Sequence, residues 1–238
     1  MTDLASSLIE KSAAGEPLSA FLCRPKSPGR LPGLILLHEW WGLNDQIKEV
    51  ARRLAKERFV VLAPDLYFRF GQIVTKNGAE AAKLMNALDP EQTLSDLMAA
   101  LHHLKTVPEV DPDRIGVIGF SMGGSQALRL ACRTGEIRCA ASFYGRIPPN
   151  SEIETLAVPI LYFWGEEDGW VQQEEVQRLK EGLETFKKSG EVNIYPHTPH
   201  AFFNDTRPEV YNPTAAKDAW KRTLAFFKSV FKRSTFFA

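Results

Sequence analysis

Residues 116–128, GVIGFSMGGSQAL, decide how the chain is read. The first half is an apolar run of the kind found in a strand buried on both faces. The second half is rich in small residues that suit the start of a closely packed helix. Ser121 sits at the change-over, between Gly119 and Gly123. A strand that turns straight into a helix needs small neighbours, because the backbone folds back on itself within a few residues. Such a turn lifts a serine hydroxyl clear of the backbone and aims the next amide, Met122 N–H, at the same space. The helix N-terminus adds a positive dipole suited to an anionic intermediate. By itself the pattern also fits a glycine-rich helix start with no chemistry.

Working outward, strands and helices alternate. LPGLILLHE (31–39) reads as a buried strand, and NDQIKEVARRLAKERF (44–59) as a helix with Ile47, Val50, Ala51 and Leu54 on one face. FVVLAPDLY (59–67) is a second buried strand, and helices are expected around 79–87 and 91–106. DPDRIGVIGF (111–120) gives a turn and a strand, followed by a helix over 122–133. CAASFYG and VPILYFWGEED are further strands, 172–188 is helical, and EVNIYP (191–196) is a last short strand. The closing helix carries Trp220, Leu224, Phe227 and Phe231 on one stripe. This alternation predicts an α/β fold, a mostly parallel central sheet with helices on both faces, in a single domain over 1–238.

The composition narrows the partners. Lys+Arg and Asp+Glu both number 29, so the net charge is zero and nothing favours nucleic acid. No apolar run approaches the ~20 residues of a membrane span. The opening MTDLASSLIEKSAAGEP lacks a basic segment followed by an apolar one, which leads to the expectation of a cytoplasmic protein. Three cysteines, Cys23, Cys132 and Cys139, cannot all pair within the chain and form no CxxC, so reduced thiols are expected. No metal or cofactor is anticipated, and the expected assembly is a monomer or small homo-oligomer.

In parallel sheets of this kind the working residues lie beyond the C-terminal ends of the strands. A serine hydroxyl needs a base. The histidines after Ser121 are His197 and His200, in YPHTPHAFFND. His200 is preferred because HAFF can pack and fix its loop. The acid is expected after the preceding strand, where Glu166, Glu167 and Asp168 are available. Asp168 is preferred, to accept the imidazole Nδ1–H and fix its tautomer. Ser121 and Asp168 are 47 residues apart, and Asp168 and His200 are 32 apart, each room for a further helix–strand unit. The competing reading makes these histidines and carboxylates solvated loop groups. A second oxyanion donor is expected from LHEWWGLN, where Trp40 N–H joins Met122 N–H. Glu39, a carboxylate ending a buried strand, must be hydrogen-bonded to be tolerated there. Trp40, Trp41, Phe68, Tyr144, Trp170 and Phe202 are candidates to line an apolar pocket, although buried aromatics are more often simply core.

LPGLILLHEWWGLND, LAKERFVVLAPDLYFR, RIGVIGFSMGG, SFYG, WGEEDGWV and HAFFND together resemble the dienelactone hydrolase family of α/β-hydrolases over about 17–230. The resemblance implies an α/β-hydrolase fold without a large lid, with nucleophile Ser121, acid Asp168 and base His200. It also implies that Glu39 lies against the nucleophile. Well-known members carry a cysteine where this chain has Ser121. A thiolate can be formed in advance whereas a hydroxyl loses its proton during attack, so Glu39 is left to orient water or to hold the resting hydroxyl. Dienelactone binders place an arginine four residues beyond the catalytic histidine, and Asn204 stands there in this sequence. Arg146, Arg69 and Arg207 are the substitutes available for binding a carboxylate. The reading is a serine hydrolase acting on a small carboxylic ester or lactone through an acyl-enzyme. The rivals are another acyl hydrolase, a thioesterase or small peptidase, and a binding module without turnover.

Overall fold

The computed structural model describes residues 3–233. Eight strands and seven α-helices occur among them, with a short 3-10 helix at Phe68–Phe70. They run β1 (Leu4–Lys11), β2 (Pro17–Pro25), β3 (Leu31–Leu37), α1 (Asp45–Lys56), β4 (Val60–Pro64), α2 (Gly78–Ala87), α3 (Pro90–Thr106) and β5 (Val110–Phe120), then α4 (Met122–Arg133), β6 (Cys139–Phe143), α5 (Asn150–Ile153), β7 (Ile160–Glu167), α6 (Gln173–Thr185), β8 (Gly190–Pro199) and α7 (Pro213–Arg233). The strands form one sheet in the order β1-β2-β4-β3-β5-β6-β7-β8. β1 and β2 pair antiparallel, as do β2 and β4, whereas β3/β4, β6/β7 and β7/β8 are parallel. The mostly parallel α/β sheet is therefore present. No helix among the described residues is long and apolar enough to cross a membrane.

The chain divides into two compact units, one ending at Val117 and one starting at Ile118, inside β5. In the first, β3 and β4 are almost wholly buried, which is why they read as unbroken apolar runs. Helix α1 starts where the Asn44 side chain accepts the Ile47 N–H at 3.1 Å. It buries Ile47, Val50, Ala51, Leu54 and Ala55. Arg58, at φ 71°, then turns the chain into β4. Helix α3 opens with Pro90 behind an Asp89 cap.

In the second unit, α4 buries Ala127, Leu128, Leu130 and Ala131, and α7 buries Phe227 and Phe231. Trp220 and Leu224, expected on the same stripe, are half-buried.

Some boundaries differ from the sequence expectation. β1 and β2 were not foreseen, since β1 is an edge strand whose residues are half or fully exposed, Leu8 at 71%. β5 begins at Val110, so Asp111 and Pro112 lie inside the strand and not in a turn before it. β8 runs to Pro199, three residues past the expected end.

Candidate active site

Ser121 stands between β5 and α4 at φ 53° and ψ −117°, a conformation that is strained for a residue with a side chain. The turn is held because the Ser121 N–H donates to Phe143 O at 2.9 Å. Its tightness explains the glycines. A Cβ at Gly119 would lie 2.0 Å from Gly123 O, and one at Gly145 would lie 2.3 Å from Gly124 C. Met122 is the first residue of α4, where backbone N–H groups have no acceptor within the helix.

His200 follows β8 directly, and its Nε2 is 2.9 Å from Ser121 Oγ. Its Nδ1 is 2.7 Å from Asp168 Oδ2. Asp168 opens the loop after β7, and its carboxylate is fully shielded from solvent. The other oxygen, Oδ1, accepts the N–H groups of Trp170 at 2.7 Å and Val171 at 2.9 Å. Three donors around one buried carboxylate offset its desolvation. An ionised carboxylate only accepts, so Nδ1 carries the imidazole proton and the Nε2 lone pair faces the hydroxyl. Gly165 lets the segments carrying Asp168 and His200 approach closely, since a Cβ there would lie 2.2 Å from Thr198 O.

The alternatives are elsewhere. His197 is 90% exposed, sits at φ 51° and faces Glu167 at 3.5 Å, and Glu166 is exposed too. What separates the two histidines is packing: Phe202 and Phe203 are buried, and the Phe203 ring stacks on Phe120 at 5.1 Å.

Two rings wall the imidazole edge-on, Tyr144 at 4.9 Å and Trp170 at 5.1 Å between centroids. Tyr144 is fully buried at φ 43° and anchored by its N–H on Phe163 O at 2.7 Å. Exposed Arg146 reaches back over Trp170, its guanidinium carbon 5.3 Å from the ring centroid and one nitrogen 3.3 Å from Trp170 O. Phe202, a pocket candidate in sequence, is fully buried against Tyr144 and Tyr195. Asn204 is also buried, its Oδ1 accepting both the N–H and the hydroxyl of Thr206.

Within the first unit, Glu39 is buried at 3% exposure and Trp40 and Trp41 are half-buried, their rings 4.9 Å apart. Half-buried Phe68 lies under the Arg69 guanidinium, which makes a two-pronged contact with Asp96 at 2.9 and 2.7 Å. The residues that sequence reasoning passed over are His38 and Tyr67. Both are fully buried, and both hydrogen-bond to the Glu39–Trp40 backbone.

A serine on a strand–helix turn, in line with an imidazole and a buried carboxylate, on a mostly parallel sheet flanked by helices, defines an α/β-hydrolase. The dienelactone hydrolase family profile matches residues 18–231, and the chain belongs to that family. It is a carboxylic ester hydrolase. A Bradyrhizobium sp. protein provisionally named a 2-oxo-3-(5-oxofuran-2-ylidene)propanoate lactonase is 33% identical over 236 residues, 94% of each chain. A Synechocystis sp. protein provisionally named a carboxymethylenebutenolidase is 31% identical, with 97% of this chain and 99% of its own covered. The solved structure of a provisionally assigned dienelactone hydrolase from Klebsiella pneumoniae superposes with a TM-score of 0.88 at 27% identity, over 95% of this chain and 99% of its own.

Proposed function

We propose that this hydrolase cleaves a small carboxylic ester or lactone through a serine acyl-enzyme. The observation that supports this is the unbroken line from Ser121 Oγ to His200 Nε2, at 2.9 Å, and from His200 Nδ1 to Asp168 Oδ2, at 2.7 Å. As Ser121 Oγ attacks the carbonyl carbon, its proton passes to Nε2, and Asp168 stabilises the imidazolium that results. The carbonyl π electrons move to oxygen, and in this reading Met122 N–H holds that oxyanion. When the tetrahedral intermediate collapses, the C–O bond to the leaving alkoxide breaks and the imidazolium protonates it. In a lactone the new alcohol stays tethered to the acyl group. A water then gives a proton to Nε2 as its oxygen attacks the acyl carbon, and the second tetrahedral intermediate collapses by breaking the C–Oγ bond while Nε2 returns the proton to Oγ, releasing the acid and restoring Ser121 and His200. No step calls for a metal or cofactor.

Of the three arginines considered for a substrate carboxylate, Arg69 pairs with Asp96 and Arg207 with Glu209. Arg146 has no carboxylate partner among the described residues and sits on the ring beside the catalytic imidazole. This favours Arg146 as the recognising cation, with Trp170 as its platform. Cytoplasmic placement is part of the same reading and is supported by three free, buried cysteines.

The test is Ser121→Ala assayed on short-chain aryl esters. A loss of at least about 1,000-fold in kcat is expected, because the nucleophile is gone and the oxyanion donor remains. Activity within tenfold of the unaltered enzyme would reject the proposal.

A further inference from the structure

The segment that follows β6 is tied to its neighbours residue by residue. Tyr144 N–H donates to Phe163 O at 2.7 Å, and the buried Tyr162 hydroxyl donates to Gly145 O at 2.7 Å. Arg146 N–H donates to Ser125 Oγ at 2.8 Å, in the first turn of α4, and that hydroxyl in turn faces Ser121 O at 3.3 Å. Arg178, from α6, donates through one nitrogen to Ile147 O at 3.0 Å and through another to Pro148 O. Pro149 O then accepts the Glu152 and Ile153 N–H groups that open α5. Tyr144, Gly145, Ile147 and Pro148 are buried, whereas Arg146 between them is exposed. A fixed backbone thus presents a single cation at the surface, over the Trp170 ring.

The sequence explains why an outside donor is needed. In Arg146-Ile147-Pro148-Pro149 the two prolines have no N–H, and Ile147, preceding a proline, is kept out of helical backbone. Such a segment cannot close a turn on itself, so its carbonyls must find donors elsewhere. A guanidinium presents its N–H groups as a rigid planar fork that suits two neighbouring oxygens. Arg178 is half-buried and has no carboxylate partner among the described residues, so these two carbonyls are what offset its desolvation.

We propose that Arg178 is a positioning residue for substrate selection: by clamping Ile147 and Pro148 it fixes the backbone on which Arg146 stands, so that the Arg146 guanidinium is preset beside the catalytic imidazole for an ester or lactone that carries a free carboxylate. The inference rests on the recognition role proposed for Arg146. It adds a requirement which that role does not contain, namely a two-pronged donor in α6. The selectivity arises because the substrate meets a cation whose freedom was already lost on folding.

The experiment measures kcat/KM for an aryl ester bearing a carboxylate and for a neutral one, and takes their ratio. It compares the unaltered enzyme with Arg178→Met, Arg178→Lys, Arg146→Gln and the double variant Arg178→Met/Arg146→Gln, with a melt of each. Arg146→Gln is expected to lower the ratio about tenfold. Arg178→Met keeps the length of the stem and loses both donors, and should lower the ratio about fivefold, through KM for the charged ester. Arg178→Lys, a point donor without the fork, should fall between Arg178→Met and the unaltered enzyme. In the double variant the Arg178 change should add nothing to the effect of Arg146→Gln, because the cation it positions is gone. An unaltered ratio in Arg178→Met, or a full further fall on top of Arg146→Gln, would overturn the inference and leave Arg146 as the recognising cation. A ratio untouched by Arg146→Gln would overturn both. The unaltered protein gives an independent readout if Arg178→Met fails to fold. The Nη protons of Arg178 should give separate NMR signals, since the clamp stops the guanidinium from rotating, and one averaged signal would end the proposal.

Discussion

Replacing Asp168 with asparagine alters one atom of a buried side chain, and the surrounding bonds determine the consequence. Oδ1 accepts two backbone N–H groups, from Trp170 and Val171, while Oδ2 faces His200 Nδ1 at 2.7 Å. The asparagine oxygen must take the Oδ1 position, because an NH2 there would confront two donors. The NH2 is then forced against Nδ1. A donor at that place makes Nδ1 an acceptor and moves the imidazole proton to Nε2, where it points at Ser121 Oγ and cannot accept the hydroxyl proton. The fold keeps both loop bonds, so melting should shift by only a few degrees, whereas kcat should fall about 10,000-fold, or roughly 5.5 kcal/mol in barrier, with KM little changed. Steady-state kinetics on a neutral aryl ester, with a melt alongside, measures both. A kcat within tenfold of the unaltered enzyme would refute the tautomer argument.

The same geometry sets further outcomes. Gly119→Ala puts a Cβ 2.0 Å from Gly123 O, where carbon contacts are normally ~3.5 Å, so the turn must open by more than 1 Å. We expect about 3 kcal/mol of destabilisation by denaturant melts and at least about 100-fold loss of kcat, and near-native kinetics would count against a turn packed this tightly. Arg146→Gln should raise KM about tenfold for an ester bearing a carboxylate and leave a neutral ester unaffected, since the side chain is exposed and outside the proton relay. Equal effects on both esters would remove Arg146 from recognition. Burial holds the His38 imidazole below its ordinary value of 6.5. The unfolded chain therefore takes up a proton as the pH drops below about 6.5 while the folded protein resists it, and stability is lost in that direction by up to about 1.4 kcal/mol per pH unit. Burial raises the neighbouring Asp65 above 3.8, which acts in the opposite sense at more acid pH. Denaturant melts of His38→Gln should thus show a shallower decline below pH ~6.5 than the unaltered protein, and parallel declines would disprove the assignment.

The site was readable where polar residues interrupt apolar strands at their C-terminal ends. Ser121 and Asp168 stand out in this way, and the order Ser121, Asp168, His200 is the one expected of a nucleophile, an acid and a base. The choice of His200 over His197 turned on a packing argument, and buried Phe202 and Phe203 supply the packing. What stayed hidden depends on segments returning from far along the chain. His38 is visible beside Glu39 in LLHEWW, but its partner Leu66 is 28 residues away, and nothing local announces that bond. Gly165 looks like an ordinary strand glycine until Thr198 is seen against it. β1 was missed because an edge strand with half-exposed residues carries little hydrophobic signal. Asn204 is a pocket candidate by its position relative to His200, whereas its side chain is turned inward onto Thr206.

The most direct measurement is mass spectrometry of the enzyme quenched in acid during turnover of an acetyl ester. Acetylation should appear on the peptide containing residue 121 and be missing from Ser121→Ala, whose hydrolysis should have stopped. Sustained hydrolysis with that peptide never modified would mean that the hydroxyl at 121 is not the group that attacks.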